Sequence, residues 1–167
     1  MRKNINLFLF FSILNARRKL TCQICARAAY SVLVKQNMNA TISTIIVNYN
    51  AGNLLRSCVD SLLNCPLELE IIVVDNASTD GSLNSIEGLP KVTIIKNSSN
   101  TGFATACNVG VQAAGADSLL FLNPDCSFIP GTLSTLLKSL YADEHTGMVG
   151  GLLVNSDGSE QAGGRRS

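Results

Sequence analysis

Histidine is almost missing from this chain. The one histidine, His145, sits in the polar stretch Asp143-Glu144-His145-Thr146. That removes Ser/His/Asp catalysis, which needs a base held beside the nucleophile. Phosphate-binding glycine loops are also missing: there is no Walker A and no G-x-G-x-x-G. Gly110 and Gly115 have the wrong spacing inside a helical pattern and read as packing and a helix stop. Acidic residues are absent until Asp60, while Arg2, Lys3, Arg17, Arg18, Lys19, Arg27 and Lys35 precede it. From Thr41 onward the chain holds 6 basic and 12 acidic residues, so the body offers no basic stripe for nucleic acid. No apolar run is long enough to span a bilayer; the longest near the start, Ile5 to Leu14, has ten residues.

The cysteines follow the same logic. Cys22-Gln-Ile-Cys25 is a CxxC without a second pair or a preceding strand, so incidental thiols are favoured over a zinc or redox site. Cys58, Cys65, Cys107 and Cys126 lie in apolar body segments and suit reduced, buried thiols. Residues 1–40 read as a basic and apolar leader outside the fold. Its start resembles a signal-peptide core, but Arg17-Arg18-Lys19 stands where a small-residue cleavage site belongs; an organelle transit peptide, or a start that is not natural, fits as well. Basic residues flanking an apolar run are compatible with weak attachment to a membrane surface.

What is present is a repeating alternation. Thr41–Val47, Leu69–Val74, Val92–Ile95, Ser118–Leu122 and Met148–Val154 read as strands. Helical spacing falls between them: Leu54 to Asn64, a short helix from Gly81 to Glu87, Thr101 to Ala114, and Pro130 to Tyr141. The alternation predicts one α/β domain over residues 41–167 with a mainly parallel sheet. Right-handed crossovers then gather the carboxyl ends of the strands on one edge, where ligands bind in such sheets.

That edge is predicted to carry Asn48-Tyr49-Asn50, Asp75-Asn76, Asn97, Asn100 and Asn123-Pro124-Asp125. Asn and Asp favour turns, so one such strand end means little. Four with matching chemistry favour a site. Asp125 beside a carboxamide suits a hard cation, Mg²⁺ or Mn²⁺, whose shell is completed by a substrate diphosphate. Asp75 can accept hydrogen bonds from a base or ribose, or serve as a turn residue. Asn100-Thr101-Gly102-Phe103 offers free amides at a helix start; Phe103 itself is expected in the core.

Four segments in order, Thr44-Ile-Ile-Val-Asn-Tyr-Asn50, Ile72-Val-Val-Asp-Asn-Ala-Ser-Thr-Asp-Gly81, Asn100-Thr-Gly-Phe-Ala104 with Asn108, and Phe121-Leu-Asn-Pro-Asp125, resemble the nucleotide-sugar half of family-2 glycosyltransferases. The Asn-Pro-Asp form is most similar to the rhamnosyltransferase-type branch. The resemblance implies a Rossmann-like GT-A fold, truncated at its C-terminal side. It also implies inverting transfer of a sugar, rhamnose in that branch, from a nucleoside-diphosphate sugar to a glycan or lipid-linked acceptor on the cytoplasmic side. Asn48 and Tyr49 would stand by the nucleoside, and Asp75 would bind the base. Gly102, Ala104 and Asn108 would line the nucleotide pocket, and Asn50, Asn76 and Asn100 are expected among the substrate- or nucleotide-binding residues. Asn123 and Asp125 replace the family's Asp-x-Asp, with Asp125 on the metal. Ala106 stands where glycine is common. The family's general base should follow Gly163-Gly164-Arg165-Arg166, so the chain is expected to bind donor but turn over poorly. The alternative is a truncated, non-catalytic nucleotide-binding module.

Overall fold

The computed structural model describes residues 12–15, 42–143, 145–155 and 157–161. Four parallel strands make the frame: β2 (Ile42–Asn48), β3 (Leu69–Asp75), β4 (Val92–Lys96) and β5 (Ser118–Leu122). Runs of β-branched residues make strands buried on both faces, and all seven residues of β2 are buried. Ile45 pairs with Ile72 on one side and Phe121 on the other, which fixes the register of the centre.

With β1 (Ser12–Asn15) and β6 (Met148–Gly150), the described residues form a six-stranded sheet in the order β4-β3-β2-β5-β1-β6. β1 runs antiparallel to both β5 and β6, so β6 points the same way as β2 to β5. The reading that left all of residues 1–40 outside the fold therefore fails for Ser12–Asn15, which pairs with Phe121 to Ser118. The reason is the second edge of β5, whose N–H and C=O groups need a ladder partner. The end of the leader's apolar run supplies one. The rest of that leader, including Cys22 and Cys25, lies outside the described residues.

Two other expectations change in detail. The segment after Gly81 is a 3₁₀ turn, Ser82–Ser85, entered through Gly81 at φ 75°. The last strand stops at Gly150 rather than continuing to Val154. Gly150-Gly151 weakens a strand interior, and Val154 instead bridges to Glu160 across a turn closed by Gly158 N–H to the Asn155 carbonyl at 2.9 Å.

Helices cover both faces. α1 (Asn53–Leu63) and α3 (Thr132–Tyr141) pack Leu55, Cys58, Val59, Leu62, Leu133, Leu137 and Leu140 against Ile42, Ile46, Ile71, Val73, Leu120 and Leu122. α2 (Phe103–Ala113) packs Ala106 against Val47, Ile72 and Val74 on the other face. Strand alternation assigns the two sets. Gly110 is where α2 comes closest: a Cβ there would stand 2.5 Å from Ile45 Cγ2 and 3.3 Å from Val74 Cγ2. The sequence reading of Gly110 as a packing glycine agrees with this contact.

Gly110→Ala therefore pushes α2 off the sheet. Overpacking of about 1–3 kcal/mol exceeds the helix-propensity gain of about 1 kcal/mol. Urea unfolding should show a lower midpoint than wild type; an unchanged or higher midpoint refutes the close approach.

Candidate functional site

Chain order reverses direction across the sheet between β2 and β5. From β2 the chain moves outward to β3 and β4, then returns to place β5 on the opposite side of β2. Such a switch point opens a crevice at the carboxyl edge. Five polar residues are buried there: Asn48 at 0%, Asp75 at 4%, Asn76 at 2%, Ser82 at 4% and Asn123 at 3% exposure.

Asn48 is the centre of the edge. Its Nδ2 lies 2.7 Å from Asp75 Oδ1, 3.0 Å from Ser78 Oγ and 2.9 Å from Ser82 Oγ. Asp75 Oδ2 accepts from Ser78 N–H at 3.1 Å, holding the turn after β3. Ser78 Oγ also accepts from Asn50 N–H at 3.0 Å, and Asn50 Oδ1 accepts from Thr79 N–H at 2.9 Å. Asp80 completes the staple, taking Gly52 N–H at 2.8 Å and Ser82 N–H at 3.0 Å. Those amide bonds, chiefly from Ser82, hold the Asp80 carboxyl below the usual carboxylate range. The loops after β2 and β3 thus form one unit. Asn50 and Ala77 adopt left-handed φ of 52° and 62° within it. For Ala77 that conformation costs on the order of 1–2 kcal/mol, which the surrounding bonds must over-determine.

A second staple joins β3 to β4 and α2. Asn76 Oδ1 accepts from Asn97 Nδ2 at 2.8 Å and from Thr101 Oγ1 at 3.2 Å, while Asn76 Nδ2 donates to the Gly102 carbonyl at 3.2 Å. Asn100 Oδ1 accepts from Gly102 N–H at 3.0 Å and shapes the turn into α2. Gly102 sits at φ 82°, and no side chain caps α2, so the first amides of the helix face the edge unpaired by a cap.

The sequence-predicted residues divide accordingly. Asn48, Asp75 and Asn76 are buried and bonded within the protein. Tyr49, Asn50, Asn100, Gly102, Ala104, Asn108 and Asp125 are exposed along the edge and α2. Phe103 is not in the core; it is 43% exposed. It begins α2 a turn before Ala106, beyond the strand ends that Ala106 covers. Ser78 and Ser82 carry the network and were not singled out as site residues. The Ala-Ser-Thr-Asp-Gly turn composition was their only sequence signal.

Two buried atoms have no hydrogen-bond partner at this edge: Asn48 Oδ1 and Asn123 Nδ2. An unpaired buried group costs about 1–3 kcal/mol, so each calls for a ligand atom or a water. Beyond Asn123 the chain turns, with Cys126 N–H to the Asn123 carbonyl at 3.2 Å and Cys58 Sγ to the same oxygen at 3.6 Å. Cys126 Sγ faces Asp125 Oδ1 at 3.8 Å. Burial, with the Asp125 charge next, pushes the Cys126 thiol up to about 12. Burial, then Cys126 and Asp125, pushes Cys58 higher still. Both stay protonated and leave Asp125 as the hard oxygen donor.

Among the described residues no group of three or more His, Cys, Asp or Glu could hold a metal ion. Asp125 can contribute one oxygen to a cation that takes its remaining ligands from water and a diphosphate, which matches Mg²⁺ or Mn²⁺. An apolar groove of about 260 Å³ lies elsewhere, lined by Cys65, Pro66, Phe128, Ile129, Pro130 and Leu133, and shares no residue with this edge.

Comparison with known proteins places this geometry. The sequence family described as Glycosyl transferase family 2 matches residues 43–166. The Escherichia coli uncharacterized glycosyltransferase YibD is 32% identical over 114 residues, 64% of this chain and 33% of that protein. The N-acetylglucosaminyl-diphospho-decaprenol L-rhamnosyltransferase of Mycobacterium tuberculosis is 28% identical over 135 residues, 73% of this chain and 44% of that protein. The structure of mannosyltransferase PcManGT from Pyrobaculum calidifontis, in complex with GDP-Man and Mn²⁺, superposes with a TM-score of 0.59. Its identity is 23%, covering 70% of this chain and 40% of that one. The chain thus spans less than half the length of these relatives.

The Asp80 staple has a pH signature. Its folded value is depressed, so its contribution is present above the unfolded carboxylate pKa and is lost as pH falls through the folded value. Asp80→Asn should lower the unfolding midpoint at neutral pH, and the gap to wild type should close below about pH 4. A gap that is constant with pH rules out the charge as its source.

Proposed function

This chain belongs to glycosyl transferase family 2 and has the α/β fold of the GT-A transferases, and from that premise we propose that it binds the nucleoside-diphosphate sugar of a sugar-transfer reaction. The observation that carries the proposal is the switch point itself: two buried amide atoms without partners, Asn48 Oδ1 and Asn123 Nδ2, beside the exposed Asp125 carboxylate.

Each group has a role in this reading. Asp75, an acceptor with lone pairs left over, takes an N–H of the base. Tyr49 and Asn50 flank the nucleoside. The free amides at the start of α2, with Asn100, Gly102, Ala104 and Asn108 around them, meet nucleotide oxygens. Asn123 Nδ2 donates to an oxygen of the diphosphate or sugar, and Asp125 with that diphosphate holds a Mg²⁺ or Mn²⁺ ion. When bound there, the cation would supply Lewis-acid stabilisation of charge on the departing nucleoside diphosphate. An acceptor hydroxyl attacking from the opposite face inverts the anomeric centre and needs a general base. We assign that base to none of the described residues.

The sugar we favour is rhamnose, supported by the Asn-Pro-Asp sequence and by the named activity of the mycobacterial relative. That relative's name also supports a lipid-linked acceptor, which suits work at the cytoplasmic face of a membrane. No helix among the described residues is long and apolar enough to cross one.

Melting in the presence of a nucleoside diphosphate and Mn²⁺ tests the reading. Ligand at about a hundred times Kd should stabilise the fold by ~2.7 kcal/mol. Asp125→Ala should abolish the metal-dependent part of the shift. An identical shift with and without Mn²⁺ removes Asp125 from the metal. Sugar release from a panel of nucleotide sugars then separates an enzyme from a binding-only module.

A further inference from the structure

Asp75 is an unusual group to leave in a buried position. It is 4% exposed, and its hydrogen-bond partners are neutral: Asn48 Nδ2 on Oδ1 and Ser78 N–H on Oδ2. A carboxylate has about four acceptor positions, so capacity is left for an incoming N–H. The carboxylate is held by one donor on each oxygen, and Asn48 Nδ2 is the only side-chain donor of the two. The 2.7 Å contact is the shortest of the three acceptors that share the two Nδ2 protons, and Asn48 itself is fully buried and held in the ladder, its carbonyl accepting Asn76 N–H at 2.8 Å. The same Nδ2 reaches Ser78 and Ser82, so the amide ties the carboxylate to the turn that carries it.

We propose that Asn48 is a positioning residue: its buried amide aims the Asp75 carboxylate at the base of the bound nucleotide. It never touches the nucleotide itself through Nδ2. This rests on the reading of Asp75 as the base acceptor, and it adds a residue on a different strand as the determinant of that recognition. The contribution of Nδ2 is confined to the base end of the ligand; the unpartnered Oδ1 is a separate group. The diphosphate end, served by Asp125, Asn123 and the start of α2, does not depend on it.

The test is calorimetric binding to the full chain, with Mn²⁺, of the best binder among UDP, GDP and dTDP, and separately of inorganic diphosphate. Asp75→Asn should weaken nucleotide binding, on the order of tenfold or more for a charged hydrogen bond, and leave diphosphate binding unchanged. Asn48→Ser should do the same, and the double variant should be little worse than either single one. Asn48→Asp supplies the signature that simple loss of structure does not give. It places a second carboxylate against Asp75. The remaining facing groups, Ser78 and Ser82, are neutral, and the loop's other carboxylate, Asp80, is occupied by Gly52 and Ser82 amides. Asn48→Asp keeps the Oδ1 acceptor and the size of the side chain and loses only the Nδ2 donor, so that an acceptor faces the Asp75 acceptor. Nucleotide affinity of Asn48→Asp should therefore fall at least as far as that of Asn48→Ser, with diphosphate affinity unchanged in both.

The outcomes separate the two claims. If Asp75→Asn leaves nucleotide affinity unchanged, the base-acceptor reading fails and the inference with it. If Asp75→Asn weakens nucleotide binding but Asn48→Ser does not, or if Asn48→Ser weakens nucleotide and diphosphate equally, only the positioning role fails.

Discussion

One buried amide organises the working edge of this protein. Asn48 ends the central strand, and every segment at the carboxyl edge on the β3 side is fixed through it or through a residue it holds. Its Nδ2 orients Asp75, Ser78 and Ser82; its carbonyl continues the ladder to Asn76; and Asn76 passes the connection to Asn97, Thr101 and Gly102 at the head of α2. A parallel sheet buried on both faces cannot leave these groups dry and unpaired. The cheapest solution is side-chain amides and hydroxyls that bond to one another, which is what the Asn, Asp, Ser and Thr residues at the strand ends do. What they leave over is Asn48 Oδ1 and Asn123 Nδ2, buried without a hydrogen-bond partner.

The electrostatics of the edge agree with a ligand that brings its own cation. Lys96 ends β4 but is paired with Glu87 at 3.1 Å, and Arg56 is paired with Asp60 at 2.8 Å on α1. Neutral amides, the exposed carboxylates of Asp80 and Asp125 and the buried one of Asp75 are poor hosts for a bare diphosphate. They suit one whose charge is shared with Mg²⁺ or Mn²⁺. The thiols around Asp125 are held protonated by burial and do not alter that balance.

The apolar layers set the distances. α2 lies close on the sheet because Gly110 has no side chain to hold it away from Ile45 and Val74. That approach delivers the start of α2 to the ends of β2 and β3. α1 and α3, on the other face, bring Cys58 under the turn that carries Asn123. The site is a consequence of how tightly both layers fit.

Much of this was legible from residue order. Short β-branched runs such as Ile42–Val47 and Ile71–Val74, bounded by turn residues, read as strands buried on both faces, and the intervening helical spacing implies crossovers that gather their ends. Family-specific segments at those ends located the candidate site. Other features depended on partners distant in sequence. Ser12–Asn15 entered the sheet because β5 had an edge to satisfy, which nothing in the leader reveals. The last strand was cut short by two glycines once it lay at the margin. Phe103 lay beyond the strands rather than among them. Above all, the sequence alone determined which polar residues would stand at the carboxyl edge, because strand ends and turns are local. Only tertiary structure decided which of them turn inward to hold the others, because Asn48 and Asp75 meet across 27 residues of chain.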